Sequence, residues 1–127
     1  MNLRRRMVGS VAVVSLAGGL DSESAPAVQD KLSKLLAQQP YLLIDFAGVP
    51  CVSSAGLRTL LLLYRQAQGL NHQVGVVGMS PEVRNVLDAT GFLDFFTVAD
   101  TVADVVAALD VDVDVEEDLR EPVTSGS

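Results

Sequence analysis

Ser53 and Ser54 carry the hydroxyls of this chain best placed for chemistry. They stand in Val52-Ser53-Ser54-Ala55-Gly56-Leu57, after the apolar run Tyr41-Leu42-Leu43-Ile44-Asp45 and before the leucine-rich stretch Leu57 to Tyr64. That order reads as strand, tight turn and helix, which puts both hydroxyls at or near a helix N-terminus. There the first backbone N–H groups lack intrahelical acceptors and the helix dipole is positive. Two roles suit a serine in that position. It can cap the helix by accepting one of the orphan N–H groups. It can also carry a phosphate, whose charge the positive helix end favours.

Catalysis by either serine needs partners that the sequence does not bring near. No Gly-x-Ser-x-Gly elbow is present. The single histidine, His72, lies in Asn71-His72-Gln73 after the helix, about 20 Å from Ser54 at a helical rise of about 1.5 Å per residue. It reads as an exposed loop residue. No Gly-rich phosphate loop with a lysine occurs, which excludes a P-loop nucleotidase. The lone Cys51 excludes an intramolecular disulfide and a cysteine-based zinc site. Asp21 and Asp45 fall at strand ends and are candidates for charge near Ser54; as purely structural residues they would be a turn or N-cap and a strand-end turn. A small hydrolase is therefore the weakest reading. The chain reads as a non-enzyme, with no cofactor and no metal.

The elements that must position the serines follow from periodicity. Leu3 to Met7 and Val11 to Leu16 read as strands joined around Gly9-Ser10, a hairpin. Asp21 or Ser24 can start a helix with Pro26 in its first turn. Val28, Leu32, Leu35 and Leu36 give it one apolar stripe, and Gln38-Gln39-Pro40 ends it. Tyr41 to Phe46 reads as a central strand buried on both faces. A second helix is expected from about Ser54 to Gln68, stopping at Gly69, with Leu57, Leu60, Leu61 and Tyr64 as its buried stripe and Leu62 and Leu63 outside it. So apolar a helix is either sandwiched or offers a patch to a partner. Gln73 to Val77 is a strand, and Pro81 to Ala89 a helix capped by Ser80 and ended by Gly91. Phe95 to Val98 is a last strand. Asp100 can cap a helix over Thr101 to Leu109, with Val102, Val105, Val106 and Leu109 on one face. Strands alternating with helices predict an α/β domain with parallel pairing, and the hairpin makes the sheet mixed. We expect about four to five strands with about four helices packed against them.

Length and charge set the outer bounds. A chain of 127 residues, almost half apolar, is one small domain with a modest core built mainly of Val, Leu and Ala. No apolar run reaches the length of a membrane-spanning helix. Arg4-Arg5-Arg6 followed by apolar Val8 to Leu20 invites a signal-peptide reading, but the alternation and the Gly-Leu-Asp turn read better as a strand entering a folded domain. A cytoplasmic protein is expected. The net charge of −7 is concentrated in residues 110–127, which carry −6 and leave −1 for residues 1–109. Nucleic-acid binding is not expected without a larger basic patch. The three arginines suit an edge strand, where charge discourages strand-to-strand aggregation. Residues 1–109 are read as the domain. Residues 110–127, with Asp and Val alternating from Asp110 to Val115, are read as a solvated, largely disordered acidic tail. A helix extension or an intermolecular edge strand is the minority reading there.

The serine loop resembles the phosphorylation loop of STAS-domain anti-sigma factor antagonists. Val49-Pro50-Cys51-Val52 fills the family's lead-in, Ser53 stands where the family has Asp, and Ser54 stands on the phospho-acceptor serine. Ala55 replaces a second Ser or Thr, and Gly56-Leu57 match. Gly18-Gly19-Leu20-Asp21 and Ser24-Ala25-Pro26 resemble the family's acidic turn and the start of its first helix. Ser80-Pro81-Glu82-Val83 and Thr90-Gly91-Phe92 resemble its third helix and closing turn. The resemblance spans about residues 3 to 109.

The resemblance implies a STAS fold and a protein that binds an anti-sigma factor with ATP-dependent serine kinase activity, so releasing a sigma factor. It implies phosphorylation at Ser54, with Ser53 as second choice, which weakens the complex until a PP2C-type phosphatase resets it. The implied contact residues are Asp21, Ser53, Ser54, Gly56 and Leu57. The alternative it leaves open is a constitutive STAS subunit of a signalling assembly or of a lipid-transporter ATPase complex. In that case Leu62 and Leu63 would matter more than Ser54.

Overall fold

The computed structural model describes residues 1–91, 97–105 and 107. Strands β1 (Asn2–Val8) and β2 (Val11–Ala17) pair antiparallel from Val8↔Val11 outward to Asn2↔Ala17. Gly9 turns the hairpin at φ 62°, a left-handed conformation that costs a residue without Cβ little. Helix α1 (Ala25–Gln38), strand β3 (Tyr41–Gly48), helix α2 (Ser54–Leu70), strand β4 (Gln73–Val77), helix α3 (Pro81–Ala89) and strand β5 (Thr97–Ala99) come next in chain order. The sheet order is β1-β2-β3-β4-β5, with every pair after the hairpin parallel. This is the mixed α/β sheet the sequence predicts.

The two faces of β3 explain its unbroken apolar run. Leu42, Ile44 and Phe46 join Leu32, Leu36, Leu60, Leu63 and Leu87 in the main core between the sheet and α1, α2 and α3. Leu43 points the other way, into a second cluster with Val11, Val13, Val77 and Val105. Residues 102–105 are helical and bring Val105 onto that face. Helices α1 and α2 are also joined through polar groups. The Ser33 hydroxyl lies 2.7 Å from Gln66 Oε1, and Gln66 Nε2 donates to the Ser33 carbonyl at 2.9 Å.

Several boundaries differ from the sequence reading. Helix α2 runs through Gly69 to Leu70 and stops at Asn71, whose φ of 59° breaks the helix. Its buried side is Gly56, Thr59, Leu60, Leu63 and Ala67, so Leu63 lies inside the stripe. Leu57, Leu61, Leu62 and Tyr64 are half-buried. The helical segment after β5 takes its cap from Thr101, whose hydroxyl accepts the Asp104 N–H at 3.1 Å, rather than from Asp100. His72 is not an exposed loop residue: it is half-buried, with Nδ1 2.7 Å from the Leu36 carbonyl. A carbonyl only accepts, so that nitrogen carries the ring proton, and the bond ties the end of α1 to the end of α2. The last strand is described over Thr97–Ala99. Phe95, Val106, Leu109 and residues 110–127 lie outside the described residues.

Candidate functional site

Three segments build one rim at the C-terminal end of the parallel strands. The first is the turn Gly18 to Asp21 after β2, the second the loop after β3, and the third the start of α2. Leu20 and Val52 form an isolated parallel bridge. Leu20 N–H donates to the Cys51 carbonyl at 3.1 Å, and Ser53 N–H donates to the Leu20 carbonyl at 2.9 Å. Leu20 itself is fully buried, so the rim is anchored in the core. Gly56 completes the lock. A Cβ there would lie 2.7 Å from the Leu20 carbonyl oxygen, 2.8 Å from Leu20 Cγ and 2.9 Å from Val52 Cγ1. Only glycine lets the first turn of α2 come this close to the bridge.

The two serines have different roles in this frame. Ser53 is the N-cap: half-buried and extended, with its hydroxyl accepting the Gly56 N–H at 3.4 Å and its carbonyl accepting the Leu57 N–H at 2.9 Å. The long hydroxyl contact makes it a weak cap. Ser54 is the first residue of α2 and is exposed. Among the described residues, nothing partners its hydroxyl. No acidic side chain occupies the first turn of α2, so the positive helix end is uncompensated there. Arg58 is exposed one turn further on, at the i,i+4 spacing from Ser54 that makes helix neighbours. The sequence reading passed over Arg58, although that spacing was available to find it.

Asp21 faces solvent at the other side of the rim. Its Oδ1 accepts the N–H of Glu23 at 3.0 Å and of Ser24 at 3.1 Å, and the Asp21 N–H donates to the Ser24 hydroxyl at 3.0 Å. Ser24 is the N-cap residue of α1, but its hydroxyl accepts no N–H of the helix, and Asp21 closes the turn that precedes it. The Ser24 and Glu23 N–H groups aimed at the carboxylate, helped by the Ser24 hydroxyl, hold Asp21 below the ordinary value of 3.8. Asp45 does not join this rim. It pairs in register with Ser15, while its neighbours Ile44 and Phe46 face the side that carries α2. Its carboxylate closes the end of β3 by accepting the Ala47 N–H at 2.9 Å.

Of the residues singled out in the sequence, Asp21, Ser53 and Ser54 lie at this rim. Leu57 is half-buried against the main core, and Gly56 is buried beneath Leu20 and Val52. On the other side of the loop, Pro50, Cys51 and Val52 form a small groove with Glu82, Val83 and Val86 of α3. Cys51 is a free, exposed thiol there, and Val86 is 38% exposed. That α3 borders the loop was not readable from local sequence, because the contact is long-range.

Residues 2–105 match the STAS domain, and the chain belongs to that family. BtrV of Bordetella bronchiseptica, a candidate anti-sigma factor antagonist, is 27% identical over 102 residues, 80% of this chain and 88% of BtrV. The crystal structure of an anti-sigma factor antagonist from Mycobacterium paratuberculosis is 30% identical, with a TM-score of 0.77 over 84% of this chain and 92% of that one. The anti-sigma factor antagonist SpoIIAA in its unphosphorylated form is 20% identical, with a TM-score of 0.72 over 86% of this chain and 96% of that one. SpoIIAA of Bacillus has also been solved in the phosphorylated form, with a TM-score of 0.67. The fold is that of the anti-sigma factor antagonists. Among the described residues, no helix is long and apolar enough to cross a membrane.

Proposed function

We propose that this protein is an anti-sigma factor antagonist that binds its partner through the rim around Leu20 and Val52 and is switched off by phosphorylation of Ser54. The observation that carries the reading is the contrast between the two serines. Ser53 is engaged as a cap, while Ser54 is exposed at the positive end of α2 with its hydroxyl unpartnered among the described residues. The partner is an anti-sigma factor with ATP-dependent serine kinase activity, and a PP2C-type phosphatase reverses the modification. The known phosphorylated form of SpoIIAA supports this reading by analogy of fold.

The physical mechanism needs no catalytic group from this chain. A phosphate adds about −1.5 to −2 charges at neutral pH, with strong acceptor oxygens. At the start of α2 the free N–H groups and the dipole tolerate that charge, so the fold persists. Inside a protein contact the same charge brings desolvation cost and repulsion, so the complex weakens. Gly56 and Leu57 serve by holding the serines at the rim, and Asp21 supplies a carboxylate that stays ionised at neutral pH.

Phosphosite mapping by mass spectrometry on protein from its native cells, with a Ser54→Ala control, tests the reading. Phosphate on Ser54 that varies with growth conditions is the expected result. Phosphate on Ser53 would move the site by one residue. No phosphate under any condition would sink the switch and favour the constitutive STAS subunit.

A further inference from the structure

Arg4, Arg5 and Arg6 are exposed on β1, an edge strand of the sheet. Among the described residues none of them takes part in an ion pair. In the hairpin ladder Arg4 stands opposite Ser15 and Arg6 opposite Val13. Directly opposed residues share a sheet face, and Val13 belongs to the cluster that contains Val105. Arg4 and Arg6 therefore project on the face that helical residues 102–105 cover. Residues 4–6 and Ser15 line a shallow depression at this edge.

The path of the chain points to an occupant. Val105 shares one buried cluster with Val11 and Val13 of β2, the strand beside β1, and with Leu43 of β3 and Val77 of β4. Helical residues 102–105 thus lie on the sheet face that carries Arg4 and Arg6. The chain then continues into residues 110–127, with seven acidic residues against one arginine. Asp110, Asp112 and Asp114 alternate with valines. In an extended run their carboxylates would fall on one side about 6.6 Å apart, the same repeat that separates Arg4 from Arg6 along β1. Reach is not limiting, since a five-stranded sheet is roughly 20 Å across and the segment could extend to about 60 Å.

We infer that the acidic segment 110–127 seats its carboxylates on Arg4 and Arg6 of the same molecule and covers the open edge of β1. An open edge presents unpaired backbone groups to other chains, and a net-acidic cover removes that template. The arginines are then one half of a charge-matched contact as well as a deterrent to aggregation.

The test uses the full chain with Cys51→Ser and Val115→Cys, carrying a nitroxide at position 115. At low salt the amide signals of residues 3–7 should lose more than half their intensity, while those of α3, on the other sheet face, keep theirs. The loss should vanish at about 1 M salt, where the Debye length is about 3 Å, and also in Arg4→Glu/Arg6→Glu. The salt arm needs no change at the arginines, so it stands even if that variant folds poorly. Undiminished β1 signals at low salt would overturn the inference, as would a loss that salt leaves in place. Mixing isotope-labelled protein without nitroxide and unlabelled protein with it separates the remaining case. An equal loss in that mixture would assign the edge to a second copy and overturn the intramolecular contact.

Discussion

The Ser53 N–H donates to the Leu20 carbonyl at 2.9 Å, and this bond joins the helix that presents Ser54 to the turn that presents Asp21. Two segments more than thirty residues apart in sequence thereby become one surface. The bond is sheltered because Gly56 lets α2 begin directly against Leu20 and Val52.

Gly56→Ala should therefore destabilise the protein. The added methyl would stand 2.7 Å from a backbone oxygen, which cannot rotate away as a side-chain end can. Overpacking of this kind costs about 1–3 kcal/mol. Denaturant unfolding measures the loss, and the amide shifts of Leu20 and Ser53 should report the displaced bridge. Unchanged stability and shifts would show that the rim is not locked at Gly56.

Asp21 gives a pH signature. Its carboxyl is held below 3.8 in the folded protein, so its contribution to stability is present above that value and is lost as pH falls through the lowered folded-state pKa. The side chain is exposed, so the effect is small and screened. Carboxyl titration by NMR should give a midpoint below 3.8, and the stability gap between wild type and Asp21→Ala should close on acidification. A midpoint above 3.8 would contradict the hydrogen-bond geometry.

Arg58 should pair with a phosphate on Ser54. The acid-first i,i+4 order is the favourable one on a helix and contributes about 0.2–0.5 kcal/mol. A double-mutant cycle on phosphorylated and unmodified protein, with and without Arg58→Ala, measures the coupling. A coupling of zero at low salt would remove Arg58 from the site.

The same helix shows what was legible in the sequence and what was not. The alternation of strands and helices was readable because Val and Leu runs are separated by Gly, Pro and polar turns, and β3 declared itself by being apolar on both faces. The phase of α2 was not readable. Leu60 to Leu63 is continuous, so leucines alone do not select a face, and the buried side is set by Gly56, Thr59 and Ala67. The end of α2 was misjudged because a solvent-facing glycine tolerates helix, while Asn71 adopts the left-handed conformation that ends it. The serine loop was legible as a motif, but its bridge to Leu20 was not, since nothing local marks a long-range backbone pair. Leu63, at 1% exposure, tests the corrected phase. Leu63→Ala should cost about 2–5 kcal/mol, and Leu62→Ala clearly less, by denaturant unfolding. The reverse order would contradict the phase that buries Leu63.

The measurement that bears most directly on the central claim is calorimetric binding of the wild type, Ser54→Ala and Ser54→Glu proteins to the kinase-type anti-sigma factor. Ser54→Ala should bind within a few-fold of wild type, because the bare hydroxyl has no partner among the described residues. Ser54→Glu should bind at least about tenfold more weakly, a loss of about 1.4 kcal/mol or more. Equal binding by all three proteins would contradict a switch at Ser54.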